Sequence, residues 1–182
     1  MKDLSNKVAI ITGSSSGVGA ATARLFASLG CHIVINFNAN SAGAEQVAKE
    51  CEELGVETVC FGGSVANDTD CVAMVKAAMD KWGRVDILVN NAGTTKFVDH
   101  NNLNGLDAED FQRIYGVNVI GCYQMTRAAR AAMEANDEGG AVVNIASTAA
   151  VTGIGSSIAY AASKGAMVTM TMSLARVLGP KI

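Results

Sequence analysis

Two hydrophobic rhythms alternate along the chain. Short apolar, β-branched runs are each followed by a turn and then by a longer stretch with helical spacing. The first cycle is Val8-Ala9-Ile10-Ile11-Thr12, a Gly/Ser turn, and Val18 to Leu29. The pattern returns as His32 to Phe37 with Ala42 to Leu54, Glu57 to Phe61 with Thr69 to Trp82, and Ile87 to Asn90 with residues 107–135. A fifth cycle runs from Ala141 to Ile145 and on to Ile158 to Leu178. Strands that read as continuous apolar runs are expected to be buried on both faces, and helix-length connections are what parallel strands require. The expectation is therefore an α/β fold: a Rossmann-like, doubly wound parallel sheet in α/β/α layers with strand order 3-2-1-4-5. Residues 1–182 form a single domain in this reading, and ligands bind just beyond the carboxyl ends of the strands.

Composition narrows the class. With 49% hydrophobic and 17% charged residues in 182, the chain reads as one globular domain. Its formal net charge is −3 with scattered charges, and the densest basic cluster is Arg127 with Arg130, so no nucleic-acid partner is expected. The apolar runs fall far short of the ~20 residues that cross a bilayer, so no membrane association is expected. Met1 to Asn6 carries an acid and lacks a long apolar core, which argues against a cleaved secretion signal and for a cytoplasmic address. Cys31, Cys51, Cys60, Cys71 and Cys122 have irregular spacing and no C-x-x-C pair. They read as small buried residues in a reducing compartment, with no metal site.

The chemistry-bearing residues follow the strands. After the first strand, Thr12-Gly13-Ser14-Ser15-Ser16-Gly17-Val18-Gly19 opens directly into a helix. There Gly13 permits a tight turn, Gly17 lets backbone approach a pyrophosphate, and Gly19 lets helix and strand pack closely, while the helix N-terminus offers N–H groups to an anion. The second strand ends Asn36-Phe37-Asn38-Ala39-Asn40-Ser41 with no acid before Glu45 and no cation between Arg24 and Lys49. A carboxylate there would bind the ribose of the unphosphorylated dinucleotide. Asn38, Asn40 and Ser41 can instead donate to a 2′-phosphate, which favours NADP(H) over NAD(H).

In the last third, Ser147 precedes Tyr160 by thirteen residues, and Lys164 follows four later, on the same face of a helix. A Tyr-x-x-x-Lys pair alone is as well explained by a lysine stem packing on a ring. A free tyrosine titrates near pH 10. An ammonium ~5 Å away favours its phenolate by up to ~3 kcal/mol at an effective dielectric of 20, toward the range of a general acid–base.

Taken together, Thr12 to Gly19, Asn90-Asn91-Ala92-Gly93 after the fourth strand, Asn118 in Val117-Asn118-Val119, Ser147 in Asn144-Ile145-Ala146-Ser147, and Tyr160-Ala161-Ala162-Ser163-Lys164 resemble the short-chain dehydrogenase/reductase family. The likeness covers essentially the whole chain and is similar to the branch containing 3-oxoacyl-carrier-protein reductases and sugar or small-alcohol dehydrogenases. It implies hydride transfer between a nicotinamide and a carbonyl or secondary alcohol. Tyr160 would donate or accept the proton, Ser147 would hold the substrate oxygen, Lys164 would lower the tyrosine pKa and hold the nicotinamide ribose, and Asn118 would hold a relay water. The cofactor, NADP(H) or NAD(H), would contact Gly13, Ser15, Ser16, Gly17, Val18, Gly19, Asn38, Ser64, Val65, Asn91, Ala92, Gly93, Tyr160 and Lys164. A homodimer or homotetramer paired through the two long helices is implied, as is a small-molecule carbonyl or alcohol substrate.

Two departures stand out. The family often places Asp-Val after the third strand, where this chain has Ser64-Val65. The six-stranded form of the fold also needs another strand after the Tyr160 helix, so the chain is expected to be a piece of a longer enzyme, weak or inactive alone, with the fifth strand as an exposed edge. A catalytically silent dinucleotide-binding or sensing module is the rival reading, and a purely structural scaffold would leave the Thr12 to Gly19 loop unexplained.

Overall fold

The computed structural model, which describes residues 3–182, orders five parallel strands as β3-β2-β1-β4-β5. These are β1 (Val8–Ile11), β2 (His32–Phe37), β3 (Thr58–Gly62), β4 (Ile87–Asn90) and β5 (Ala141–Asn144). β1 lies at the centre, with Ile10 opposite Val34 of β2 and Leu88 of β4. All four of its residues are fully buried, and alternation sends them to opposite layers. Ala9 and Ile11 join the layer of α1 (Gly17–Ser28) and α2 (Ser41–Glu52) through Ala20, Ala23, Ala44 and Val47. Val8 and Ile10 join the layer of α3 (Asp68–Trp82) and α5 (Cys122–Glu134) through Met74, Val75, Met125 and Ala129. Each buried isoleucine contributes about 1.5–3 kcal/mol, and truncating Ile10 to alanine would cost about 2–5 kcal/mol.

Local signals set the helix starts. Asn40 caps α2 by accepting the Gly43 N–H, Asn67 caps α3 with Asp68 and Asp70 in the first turn, and Gly83 ends α3 in the left-handed region at φ 69°. Asp107 and Asp110 form a reciprocal capping box at the start of α4 (Ala108–Tyr115).

Three expectations need correction. Burial on both faces holds for β1, β2 and β4, but β3, at one edge of the sheet, is partly open; β5 at the other edge is exposed as expected, with Val143 46% exposed. The helix expected over 107–135 is divided: α4 passes into a π-helical segment, Gly116–Gly121, before α5 resumes. Cys60 is exposed at the β3 edge, unlike the other four cysteines. Burial pushes the Cys31 and Cys122 thiols up to about 12, which keeps them inert at neutral pH.

After β5 come the short α6 (Ala149–Thr152) and the long α7 (Ile158–Leu178). No helix among the described residues is long and apolar enough to cross a membrane.

Candidate active site

The loop after β1 is held on three sides by side chains. Thr12 Oγ1 accepts the N–H groups of Asn91 and Ala92 at 3.0 and 2.9 Å, and Asn91 Nδ2 donates back to the Thr12 and Gly13 carbonyls at 2.9 and 3.1 Å. Ser14 Oγ donates to the Ile11 carbonyl at 2.7 Å and accepts the Asn36 N–H at 3.0 Å. Asn36 Oδ1 accepts the Gly13 N–H at 3.0 Å, while its Nδ2 donates to the Gly63 and Phe61 carbonyls at 2.9 and 3.2 Å. Two glycines are sterically required. A Cβ at Gly13, already at φ +63°, would meet Ala92 Cα at 3.0 Å, and one at Gly19 would meet Asn91 Nδ2 at 2.5 Å and the Gly13 carbonyl at 2.7 Å.

This frame borders a cleft of about 740 Å³ at the carboxyl ends of the strands. Of the residues anticipated for the cofactor, Gly13, Ser15, Ser16, Asn38, Ser64, Val65, Asn91, Ala92 and Gly93 line it. Gly17, Val18 and Gly19 form the first turn of α1 beside it. Asn40, by contrast, is spent on capping α2. Ser64 is positioned by its own N–H, which donates to the Asp70 carboxylate at 2.9 Å. The opposite wall is α4 and the π segment, with Gln112, Arg113, Gly116 and Val117. Arg113 is the only charged side chain among the described residues that line the cleft.

A second hollow, about 270 Å³, shares Asn91, Gly93 and Thr94 with the cleft and adds Thr95, Ile145, Ala146, Tyr160 and Lys164. Ser157 caps α7 by accepting the Tyr160 N–H, and Gly155 passes so close that a Cβ there would meet the Tyr160 ring at 3.2 Å. One turn along α7, Lys164 is buried; its Nζ donates to the Ile145 carbonyl at 2.6 Å and lies 5.8 Å from the Tyr160 ring centre. Burial pushes the Lys164 ammonium below its usual range. A Cβ on Gly93 would approach Asn118 Oδ1 at 3.5 Å and Lys164 Nζ at 3.9 Å, so this glycine of the cleft wall passes close to both side chains.

Asn118 is fully buried in the π segment. Its Oδ1 accepts the Thr94 N–H at 2.8 Å and its Nδ2 donates to the Thr94 carbonyl and Ser163 Oγ at 3.0 and 2.9 Å. The amide thus ties three segments together, and π insertions of this kind concentrate at functional sites. Ser147 lies in the turn after β5, half-buried, with its Oγ accepting the Ala149 N–H at 3.1 Å; it lines neither hollow.

Sequence reasoning missed Asn36 as a positioning side chain, along with the α4 wall. For Asn36 the signal was a polar residue at the end of an apolar strand; for Arg113 there was none, because spacing does not show which helix faces the cleft.

A parallel sheet in this order, glycine-turned into a nucleotide-sized cleft with a Tyr–Lys pair at one end, defines a dinucleotide-binding oxidoreductase fold. The chain matches the short chain dehydrogenase family over residues 7–182 and belongs to it. It is 39% identical over 183 residues to 3-hydroxyacyl-CoA dehydrogenase type-2 of Drosophila melanogaster, covering 96% of this chain and 70% of that protein. It is 32% identical over 181 residues to the 3-oxoacyl-[acyl-carrier-protein] reductase of Synechocystis sp., covering 100% of this chain and 72% of that protein. Among solved structures, a protein from Burkholderia xenovorans described as a short-chain dehydrogenase/reductase superposes with TM-score 0.93 at 45% identity, covering 97% of this chain and 73% of the other. NAD+-bound xylitol dehydrogenase superposes with TM-score 0.91 at 29% identity, covering 99% and 68%. The family is one of nicotinamide-dependent oxidoreductases.

Proposed function

We propose that this chain carries the cofactor and catalytic sites of an oxidoreductase that interconverts a carbonyl and a secondary alcohol. The observation that carries the reading is the continuity of the long cleft with the Tyr160–Lys164 hollow through Asn91, Gly93 and Thr94. The cleft fits a dinucleotide: the walls at Gly13 and Gly19 leave no room for a Cβ, and the α1 N-terminus opens beside Ser15 and Ser16. Ser64 and Val65 would hold the adenine, Asn38 the adenosine ribose, and Ala92 and Gly93 the nicotinamide end. When bound, the nicotinamide supplies or accepts the hydride.

The chain's own residues handle the proton. Tyr160 donates its hydroxyl proton to the substrate oxygen in reduction and takes it back in oxidation. Lys164 holds a positive charge near the ring, which stabilises negative charge developing on the phenol oxygen, and its ammonium reaches the ribose side of the cleft past Gly93. Ser147 orients the substrate oxygen by donating its hydroxyl proton to it, while its Oγ keeps accepting the Ala149 N–H. Both Asn118 Nδ2 hydrogens are engaged by Thr94 and Ser163 and its Oδ1 accepts the Thr94 N–H, so its side chain acts to position Thr94 and α7, with one Oδ1 lone pair left to hold a relay water.

The cleft contains no carboxylate among its described lining, so nothing repels a 2′-phosphate at Asn38; this supports NADP(H) over NAD(H). The names of the hydroxyacyl and oxoacyl relatives support a β-oxoacyl or β-hydroxyacyl compound as the first substrate to try. Val168, Met172 and Val177 expose apolar surface along α7, which supports pairing of two copies there.

The test follows deuterium from 4-deuterated NADPH into a small 3-oxoacyl thioester by mass spectrometry. Label in the 3-hydroxy product, lost in Tyr160→Phe, is expected; label transfer undiminished in Tyr160→Phe would remove the tyrosine from its role.

A further inference from the structure

We infer that Arg113 is a cofactor-binding residue that closes over the anionic pyrophosphate from the α4 side, opposite the glycine loop. The inference rests on the dinucleotide reading above and deepens it. Every donor on the loop wall is neutral, from the backbone N–H groups around Gly13 to the hydroxyls of Ser15 and Ser16. A doubly charged pyrophosphate set against that wall alone would meet only the partial positive charge of the α1 N-terminus, about half an elementary charge, which leaves room for a full positive charge opposite it. Arg113 is the single charge on the lining, and it is positive.

The surroundings of Arg113 hold it ready without consuming it. Its Nη2 lies 3.4 Å from Asp110 Oδ1, and its Nη1 donates to Thr94 Oγ1 at 3.2 Å, both toward the long end for such contacts. Asp110 is the closer partner of Lys96, whose ammonium holds its carboxyl below the ordinary carboxylate range, and it also accepts the Asp107 N–H. One carboxylate is therefore divided between two cations, so its pairing with Arg113 is incomplete. Asp107 is occupied in capping α4, and Glu109 forms no ion pair with Arg113. A guanidinium has five N–H donors, and two are engaged here. Nearly half of the side chain remains exposed. The Thr94 contact places the guanidinium at the junction of the cleft and the Tyr160 hollow, on the wall that faces the glycine loop.

The test measures dissociation constants of NADH and NADPH by nicotinamide fluorescence for the wild type, Arg113→Gln, Arg113→Lys and Lys96→Gln, at low and at high salt. Thermal melts establish that each variant is folded. Arg113→Gln should weaken both cofactors by a similar factor, about tenfold to a hundredfold, as loss of a charge-assisted bond gives. Its affinity should also respond less to salt than that of the wild type. Arg113→Lys should recover most of the loss. Lys96→Gln leaves Asp110 to pair with Arg113 alone without touching the cleft, and should weaken both cofactors by less than Arg113→Gln does.

Weakening of NADPH alone would move Arg113 to the 2′-phosphate and overturn the proposal. So would unchanged binding in Arg113→Gln, or an equal loss in Lys96→Gln, which would make the effect one of the ion cluster. A wild type that binds neither cofactor would instead overturn the dinucleotide reading itself.

Discussion

Asp86 and Asn90 stand at opposite ends of β4, one just before it and one at its last residue, and both are buried, 6% and 3% exposed. At the amino end, Asp86 is fully answered. Its carboxylate accepts the Val8 N–H at 2.9 Å, takes two bonds from Arg84 at 2.8 and 2.6 Å, and lies 3.6 Å from Lys7, which pairs in turn with Glu138. Burial alone would push this carboxyl up. The Arg84 and Val8 hydrogen bonds and the two cations outweigh it, leaving the group below the ordinary carboxylate range.

At the carboxyl end, Asn90 donates to Asn144 Oδ1 at 2.9 Å and to Thr126 Oγ1 at 3.3 Å, while its own Oδ1 has no protein partner. One end is a closed ion network whose groups satisfy each other, and the other is a frame of amides and hydroxyls that hold backbone in place around open space. The difference shows where this fold invests in stability and where in binding: charges that neutralise each other can lock a sheet, but a ligand needs groups left to answer it.

The comparison breaks most severely if substitutions at the carboxyl end leave chemistry intact. Tyr160→Phe should lower turnover about a thousandfold, within the range of a lost general acid–base, while cofactor affinity holds within about twofold; steady-state rates beside fluorescence titration measure both. Asn36→Ala strips the Gly13 N–H of its acceptor and two carbonyls of their donor, so it should weaken cofactor binding about tenfold and cost about 1–3 kcal/mol of stability; urea unfolding and cofactor titration on one preparation test it.

At the amino end the signs reverse. Asp86→Asn should cost about 2–3 kcal/mol at neutral pH, because Arg84 and Lys7 lose their shared partner, with kcat/KM unaltered in the fraction that folds. Since the folded carboxyl titrates below its ordinary value of 3.8, its stabilisation is complete above that value and is lost as pH falls through the lower folded pKa. Thermal melts between neutral pH and pH ~3 should accordingly show a shallower acid limb in the variant. The smallest effect belongs to the β3 edge. Cys60→Ser should change stability by less than about 0.5 kcal/mol, and a thiol reagent should label Cys60 in the folded protein well before the four buried cysteines, as peptide mass mapping would show.

The sheet was legible because the buried positions of β1, β2 and β4 are apolar except for Asn36 and Asn90 at the carboxyl ends, and the turn after β1 is written in glycine. Residues tied to a local motif were legible too: Tyr160 and Lys164 lie one helical turn apart, and Asn91 to Gly93 follow a strand directly. What stayed hidden depends on contacts far apart in sequence. Asn36 bonds to Gly13 and to Gly63, partners 23 and 27 residues away, and Arg113 meets Thr94 across 19. The break at Gly116–Gly121 is equally invisible in a helical periodicity, which a π turn shifts by only one residue. Edge exposure of β3 follows from strand order, not from any property of the strand itself, whereas that of β5 was foreseen from the lack of a sixth strand pattern.

The central claim is that the cleft at the carboxyl ends of the strands seats a nicotinamide dinucleotide. Titrating the chain into NADPH and, separately, NADH while following nicotinamide fluorescence tests it most directly, with Gly19→Val as the partner variant, since its side chain would displace Asn91 and the Gly13 turn. The account predicts saturation at one cofactor per chain, tighter for NADPH, and loss of binding in Gly19→Val. A wild type with no saturable signal for either cofactor, or a Gly19→Val that folds and binds as well as the wild type, would contradict it.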